Sequence, residues 1–290
     1  MKEFLEEVVL DGLIDVLKLI PFLFVAFLLL EYIEHKMSNK NKDILSKNKK
    51  AGPLVGSFLG AFPQCGFSSL ATNLFSSRVI TLGTLIAIYL STSDEMLPLM
   101  IAEKINVLTI IKIIGTKFII GLFFGYLIDL IYRKKHTKEE KIDSHIHDMC
   151  HDHDCHCEEE GILKSSIIHT LKITLYIFIA TIIIGTLIYF VGKDSIESIL
   201  KNGNILTYFL ASLIGLIPNC ASSIIVTELY LNTVITIGVL LSGTLTGAGV
   251  GLLILFKENK HIKENLTIVS IIYLIGVLMG FLIDLIWITL

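Results

Sequence analysis

The sequence predicts an all-α integral membrane protein built from two homologous halves. Of its 290 residues, 53% are apolar and 18% are charged, and the mean hydropathy is +0.74. This composition leaves too few polar residues for the solvated surface of a soluble domain. Apolar stretches of membrane-spanning length and an internal repeat at a shift of 155 residues complete the argument.

Eight apolar stretches each reach or exceed the ~20 residues that cross ~30 Å of hydrocarbon. The first begins with acidic residues, so we expect a spanning helix there and no removable signal peptide. Breaks within some stretches raise the expected number of membrane segments to about 8–10. The stretches cover residues 8–33, 54–77, 79–101, 105–132, 162–191, 205–231, 233–256 and 266–290.

The internal repeat aligns the chain on itself without a gap. About a dozen identities fall between residues 57 and 90 and their counterparts, and several are polar, so shared hydrophobicity does not explain them. We therefore expect a first transmembrane repeat at 1–132, a connecting loop at 133–160 and a second repeat at 161–290. The paired residues include Pro63 with Pro218, Cys65 with Cys220, Ser68 with Ser223, and Thr72 with Thr227.

Positive charge in three loops predicts how the halves are oriented. By the positive-inside rule, all three loops should be cytoplasmic. An even number of crossings per half would put the first and central loops on opposite sides, so we expect an odd number and an inverted-topology repeat. The basic residues are Lys36, Lys40, Lys42, Lys47, Lys49 and Lys50; Arg133, Lys134, Lys135, Lys138 and Lys141; and Lys257, Lys260 and Lys263.

An odd number of crossings requires a broken segment in each half. Pro63 and Pro218 each remove a backbone donor, and residues 88–98 and 240–252 place polar or glycine-rich backbone at membrane depth. The sequence leaves two arrangements open, namely three spans plus a re-entrant hairpin or five spans per half.

The polar residues at these breaks form the candidate substrate site. Irregular backbone inside a membrane is tolerated where it is buried in protein or lines a wet cavity, and two breaks related by inversion define one site near the midplane. Thiols are soft donors and favour a soft or borderline metal or metalloid. The candidate ligands are the thiols of Cys65 and Cys220, the amides of Gln64 and Asn219, and the hydroxyls of Ser68, Ser223, Thr72 and Thr227.

Three carboxylates within the apolar stretches are candidates for coupling. Asp94 and Glu95 lie in the first half where the second has Gly249 and Val250, and Glu228 lies in the second half. A carboxylate in hydrocarbon is costly, which predicts a role as cation ligand or proton carrier. For Asp129 and Asp284, near the ends of their helices, we expect water or a structural partner instead.

The central loop is rich in imidazole and thiol groups. These donors bind transition metals, but their spacing fits no single tetrahedral zinc module. We expect this loop to bind a metal on the cytoplasmic side, as a sensor or a collector outside the translocation path, with adventitious binding by a disordered linker as the alternative. The residues are His145, His147, Cys150, His151, His153, Cys155, His156 and Cys157.

These motifs resemble a bacterial membrane family of ten-helix heavy-metal exporters, whose members are also labelled arsenic efflux proteins or manganese transporters. More distantly, the chain is similar to arsenic permeases. The resemblance implies export of a metal or metalloid. It rests on "LEYIEHK" (30–36), "PQCGFS" (63–68), "RVITLGTLIA" with "STSDE" (78–95), "DCHCEE" (154–159), "GLIPNCA" (215–221), "TELYL" (227–231) and "TGAGVGLL" (246–253).

We therefore expect a proton-coupled secondary transporter in the cytoplasmic membrane, not an enzyme, that exports manganese, a zinc-like divalent ion or arsenite. No phosphate-binding loop of the G-x-x-x-x-G-K-[ST] type is present, and no basic patch with interleaved aromatics suggests nucleic acid as a partner. The expected partners are the substrate and lipid, with a homo-oligomer left open and no cofactor required. Two alternatives are a thiol oxidoreductase using Cys65 and Cys220 and a permease for an organic solute.

Overall fold

The computed structural model describes residues 10–36, 51–62, 65–135, 162–191 and 205–289, together with Glu197 and Leu200. Within these residues all regular secondary structure is helical. Most of the predicted loop at 133–160 lies outside the described residues, so the predicted domain boundaries stay predictions.

The described helices fall into two sets of six. The first set is α1 (Asp11–Lys36), α2 (Gly52–Gly60), α3 (Cys65–Ser76), α4 (Leu82–Ser91), α5 (Met96–Ala102) and α6 (Val107–Lys135). The second set is α7 (Ile162–Val191), α8 (Ile205–Gly215), α9 (Cys220–Leu231), α10 (Ile237–Thr246), α11 (Gly251–Glu258) and α12 (Ile262–Thr289).

The bounds of the two sets repeat at the shift of 155 residues found in the sequence. Helix α3 maps onto α9, and α4 maps onto α10, at both ends. Each predicted apolar stretch contains either one long helix or a pair of short helices. The breaks between paired helices fall at residues 61–64, 92–95, 216–219 and 247–250, so the predicted positions of the breaks are confirmed.

Helix lengths separate membrane spans from half-spans. Within the described part of the chain, five segments are both long and apolar enough to cross a membrane, counting each pair α4–α5 and α10–α11 as one segment, and α1, with 26 residues, also has the length. Helices α2, α3, α8 and α9 contain only 9 to 12 residues. At 1.5 Å per residue, 12 residues cover about 18 Å, which is too short for ~30 Å of hydrocarbon. The five long segments are Leu82–Ala102, Val107–Tyr132, Ser166–Leu187, Ile237–Glu258 and Ile262–Ile286.

Helices α2 and α3 form a hairpin that packs on α4. Glycines at every fourth position allow α2 to lie close to α4, because a Cβ there would overlap or crowd α4 atoms. These close approaches pair Gly52 with Thr84, Gly56 with Ile88 and Gly60 with Ser91, so α2 runs in the same direction as α4. Helix α3 runs back alongside α4, since residues 77–81 join the two and Thr72 contacts Tyr89. The hairpin tip therefore lies level with the break after Ser91.

Helix α6 runs antiparallel to α4 through a second set of close approaches. A Cβ at Gly121 would lie 2.7 Å from the carbonyl oxygen of Ala87, and Gly125 lies against Gly83. The equivalent glycines of α12, Gly276 and Gly280, approach α10 in the same way. Each half thus packs its broken segment between a hairpin and a long helix.

One aspartate at the end of each long helix caps the start of the broken segment. Asp129 accepts hydrogen bonds from Thr81 Oγ1 at 2.8 Å and from the amide of Gly83 at 2.9 Å. Asp284 accepts from Thr236 Oγ1 and, at 2.8 Å, from the amide of Gly238. A carboxylate at a helix N-terminus satisfies orphan amides and complements the helix dipole. The expectation of structural partners for both aspartates is confirmed.

The broken segments form the centre of the molecule. All ten residues of α4 are buried, and so are the residues of α10 from Gly238 onward. Helices α6, α7 and α12 instead carry most of the exposed large apolar side chains. An apolar exterior around a polar, broken interior is the arrangement that a hydrocarbon solvent requires.

The two halves contact each other reciprocally. Helix α3 of the first half packs against α11 of the second, and α9 of the second half packs against α5 of the first. Helices α4 and α10 also contact each other, as do α1 and α7. Reciprocal contacts between equivalent elements are typical of an interface with approximate two-fold symmetry.

Gly215 tests the close packing of the hairpin of the second half. A Cβ there would overlap the carbonyl oxygen of Gly243, so Gly215→Ala should lower the free energy of unfolding by about 1–3 kcal/mol. Gly115→Ala is the matched control, because a Cβ there meets nothing within 4 Å, and it should be neutral or stabilising by up to about 1 kcal/mol. Thermal unfolding of the detergent-purified variants measures both changes. Equal stability of the two variants would contradict this packing.

Candidate functional site

The two central breaks approach each other at a buried lysine. Lys117 of α6 is 1% exposed, and its ammonium donates hydrogen bonds to the carbonyl oxygens of Thr92 and, at 2.9 Å, of Thr244. Thr92 terminates α4, and Thr244 lies in the last turn of α10. The last four carbonyls of a helix have no partner within it. One side chain therefore satisfies carbonyls at the ends of broken helices from both halves.

Asp94 lies at the first of these breaks, beside Lys117. Its side chain is buried and interacts electrostatically with the ammonium of Lys117. Its backbone φ is 28°, in the left-handed region, and the equivalent Gly249 has φ 54°. The break thus needs a left-handed residue, for which glycine is the ordinary choice. A strained, buried carboxylate where the second half has glycine suggests a functional constraint.

Glu95 follows directly and begins α5. It is partly buried and, as the residue before the first helical turn, makes no side-chain capping hydrogen bond. Of the three predicted coupling carboxylates, Asp94 and Glu95 therefore lie at the break. Glu228 lies in α9, eight residues beyond Cys220, which is about 12 Å along the helix axis. It is near the end of the hairpin remote from its tip.

The polar residues of α3 contact the start of α11. Thr72 Oγ1 lies 2.5 Å from the hydroxyl of Tyr89, 2.7 Å from the carbonyl oxygen of Ser68 and 3.2 Å from that of Gly251. Either hydroxyl can donate in the Thr72–Tyr89 bond, and when Tyr89 donates, the single proton of Thr72 is available to a carbonyl. Ser68 and Thr72 are fully buried, as is Tyr89. These hydroxyls form a polar contact between the halves.

The equivalent residues of α9 bond within their own hairpin. Asn219 caps α9, because its side-chain oxygen accepts from the amide of Ala221 at 3.2 Å. Ser223 Oγ donates to the carbonyl of Cys220 and Thr227 Oγ1 donates to that of Ser223. With their protons engaged, these hydroxyls present oxygen lone pairs, which suit a cation rather than an anion.

Of the two cysteines of the predicted site, the structure describes the side chain of one. Cys220 is buried and packs in an apolar cluster with residues of α1, α7 and α11. Cys65 begins α3, but its side chain, like Pro63 and Gln64, lies outside the described residues. Pro218 lies in the break before α9, where its missing donor is compatible with the end of α8. The thiol pair therefore stays a prediction.

The predicted metal-binding loop, residues 145–157, lies wholly outside the described part of the chain. Among the residues that the structure does describe, no group of three or more His, Cys, Asp and Glu side chains is arranged to hold a metal ion. A metal site in the membrane region would therefore need backbone carbonyls, hydroxyls or the thiol of Cys65 as further ligands.

Two buried polar residues were not found by the sequence reasoning. Tyr89 and Lys117 lie within apolar stretches, and neither is repeated in the second half, which has Thr244 and Ile272. The available signal was an ionisable residue in the middle of a membrane span, which by itself predicts a functional site.

Comparison with known families agrees with this architecture. A family model described as "Putative, 10TM heavy-metal exporter" matches residues 2–193, about two thirds of the chain. The chain belongs to this exporter family. No curated protein and no solved structure matches it.

The described helices group into ten elements. If α4–α5 and α10–α11 each count as one broken helix, the twelve described helices make five elements in each half. The match covers almost all of the predicted first repeat, the predicted loop and all of α7. The rest of the second repeat lies beyond the match and relates to the exporter family through the internal shift of 155 residues.

Asn219 allows capping to be separated from ligand binding. Asn219→Ser keeps a good N-cap but removes the amide, whereas Asn219→Ala removes both. If capping is the role of Asn219, the alanine variant should lose about 0.5–2 kcal/mol of stability while the serine variant keeps both stability and ion uptake. Thermal unfolding and vesicle uptake measure the two properties. Normal stability with lost uptake in Asn219→Ser would instead assign the amide to the substrate.

Proposed function

We propose that the chain is a secondary transporter that exports a heavy-metal ion across the cytoplasmic membrane. The substrate site lies where the two broken segments meet. The observation that carries this proposal is the buried polar centre at the breaks, in which Lys117 and Asp94 lie beside carbonyls from α4 and α10. Charged groups inside a membrane protein mark ion pathways, and broken helices supply their ligands.

Contacts between the halves support an inverted repeat. Within the first half, Arg78 lies at the start of α4, on the side opposite to the α5–α6 turn. Arg78 forms a two-pronged ion pair with Glu264, at 2.7 and 2.9 Å. Glu264 lies near the start of α12, immediately after the equivalent α11–α12 turn. A parallel repeat would put these two residues on opposite sides of the membrane, whereas inversion brings them together.

The packing of α3 against α11 supports inversion independently. From the hairpin tip, α3 runs toward the start of α4, whereas α5 runs from its break in the opposite direction. Helix α11, the counterpart of α5, packs along α3, and Gly251 at its start contacts Ser68 and Thr72. Helix α11 therefore runs in the same direction as α3, as an inverted second half requires. The hairpins would then be re-entrant, with three full crossings per half, which is one of the two arrangements left open by the sequence.

The charge at the breaks favours a cation. Both carboxyl and amino ends of helices meet there, so their dipoles offset each other. The charged side chains described at this point are the carboxylates of Asp94 and Glu95 and the ammonium of Lys117. With all three groups ionised, these side chains carry one net negative charge. In a medium of low dielectric constant this balance attracts a cation.

Ligand chemistry narrows the substrate class. Trivalent arsenic prefers three thiolates, and the membrane region contains two cysteines. Mn²⁺ prefers carboxylate and carbonyl oxygens, whereas Zn²⁺, Co²⁺ or Cd²⁺ accepts a mixed set of thiol and oxygen ligands. We propose a divalent ion such as Zn²⁺, Co²⁺ or Cd²⁺, with the carboxylates at the break and the thiols as ligands. Proton coupling through Asp94, Glu95 or Glu228 and metal collection by the 145–157 loop on the cytoplasmic side stay predictions.

The apolar surroundings of Cys220 favour a second candidate. A permease for an organic solute would use the cysteines as packing, because a buried cysteine behaves as a small apolar residue. Unlike the exporter, this candidate and the thiol oxidoreductase predict no metal-ion uptake in the vesicle measurement described next.

Uptake into inside-out vesicles tests the proposal. Purified protein is reconstituted, a pH gradient is applied, and uptake of Mn²⁺, Zn²⁺, Cd²⁺, Co²⁺ and arsenite is measured. We expect uptake of a thiophilic divalent ion, reduced at least about tenfold in Cys65→Ser/Cys220→Ser, the energetic equivalent of one lost ligand contact. The control is Cys150→Ser/Cys155→Ser/Cys157→Ser, which removes all three thiols of the loop. This variant should retain uptake.

Asp94→Asn distinguishes the ligands further, because asparagine also tolerates a left-handed backbone. Mn²⁺ uptake that survives the cysteine changes but is lost in Asp94→Asn would assign the site to carboxylates. Uptake of none of the five substrates would contradict the exporter and return the organic-solute and redox candidates.

A further inference from the structure

Lys117 is a cation held in the position where helix breaks ordinarily bind an ion. It is fully buried near the middle of the segment Val107–Tyr132. Its hydrogen-bond acceptors are two backbone carbonyls at the carboxyl ends of α4 and α10, and its charge faces the carboxylate of Asp94. Carbonyls of broken helices together with a carboxylate are the ligands that a transported cation would take.

The repeat shows that Lys117 is not required by the scaffold alone. Its counterpart in α12 is Ile272, which is fully buried in the apolar core. The left-handed residue that faces Lys117 is Asp94, and its counterpart is Gly249. The first half therefore carries an added cation and an added anion at one place, while the second half forms the same break with neither.

We propose that Lys117 is the resident cation of the transport site and that the exported ion displaces it. This inference rests on the proposed function and states which group occupies the substrate site when no ion is bound. In the ion-free protein, the ammonium occupies the carbonyls of Thr92 and Thr244 and balances Asp94. The incoming divalent ion takes these oxygens and the carboxylate, and the ammonium withdraws because two cations cannot share the same ligands.

The exchange also explains how the buried groups of the ion-free site keep a partner. Without Lys117, an empty site would leave orphan carbonyls and an uncompensated carboxylate inside the membrane, which is costly. Because the ammonium is covalently attached to α6, it returns as soon as the ion leaves. Since Lys117 contacts both halves, its displacement removes a link between α6 and α10 at each turnover.

Ion binding to lysine variants tests the inference. The dissociation constants of Cd²⁺, Zn²⁺ and Mn²⁺ are measured on purified full-length protein in detergent, without transport. Lys117→Met removes the charge and keeps an unbranched side chain, and Lys117→Gln keeps an amide that can donate to the same carbonyls. Lys112→Met is the matched control, because Lys112 lies on the same helix, five residues away, and is exposed.

We expect both Lys117 variants to bind the ion at least about tenfold more tightly than the wild type, because a competing charge beside the site is gone. The rise in unfolding temperature on ion addition should also be larger in these variants than in the wild type. Lys112→Met should bind as the wild type does. Binding by a Lys117 variant where the wild type shows none would equally support displacement.

Wild-type binding that is unchanged or weakened in both Lys117 variants would overturn the inference and leave the exporter intact. In that case Lys117 would be a structural link that supports the site. If neither the wild type nor any variant binds these ions, the proposed function fails, and the displacement inference fails with it.

Discussion

A helix that ends inside a bilayer leaves backbone groups that lipid cannot satisfy, and the rest of this structure depends on how that constraint is met. Four apolar stretches are broken, and side chains of the protein bond to several of the described helix ends. Lys117 takes the carbonyls at the ends of α4 and α10. Asn219 caps α9, and Asp129 and Asp284 cap α4 and α10. Lys117, Asp129 and Asp284 lie far along the chain from the helix ends that they bond, so these ends are satisfied only within the folded protein.

The repeat supplies the scaffold and its departures from symmetry supply the chemistry. Helix bounds, glycine contacts and aspartate caps recur at the shift of 155 residues. At the centre the halves differ, since Tyr89 and Thr244 occupy equivalent positions, as do Asp94 and Gly249. Closely packed glycines fix the geometry of both halves, whereas the charged residues occur in one of them. A symmetric fold can thus hold an asymmetric ion site.

Much of the fold could be predicted from the sequence because its causes are local. Spans follow from hydropathy, and the breaks follow from Pro63, Pro218 and glycine-rich or polar stretches within apolar segments. The partner of each break could not be predicted in this way. Lys117 bonds to residues 25 and 127 positions away, and no local pattern encodes those distances in sequence.

The predicted substrate site stays a prediction, and the structure shows only how some of its residues are bonded. Of the polar residues predicted at the breaks, Ser68, Thr72, Asn219 and Thr227 are buried and Ser223 is half-buried. Several of their protons are engaged within their own helices, as in Ser223 and Thr227. Whether a hydroxyl faces a neighbouring carbonyl or a substrate depends on rotamer and packing, which sequence spacing does not specify. The carboxylates of Asp94 and Glu95 lie together because they are adjacent in the chain, whereas Glu228 lies near the other end of its hairpin.

The inverted repeat is tested most directly by measuring on which side of the membrane two equivalent turns lie. A cysteine replaces Glu103 in the α5–α6 turn or Lys260 in the α11–α12 turn, both exposed, and a membrane-impermeant thiol reagent is applied to intact cells or to inside-out vesicles. Mass spectrometry then identifies the labelled residue. We expect position 103 to be labelled only from outside the cell and position 260 only from the cytoplasmic side. Labelling of both positions from the same side would contradict an inverted repeat and, with it, a single ion site at the meeting of the two breaks.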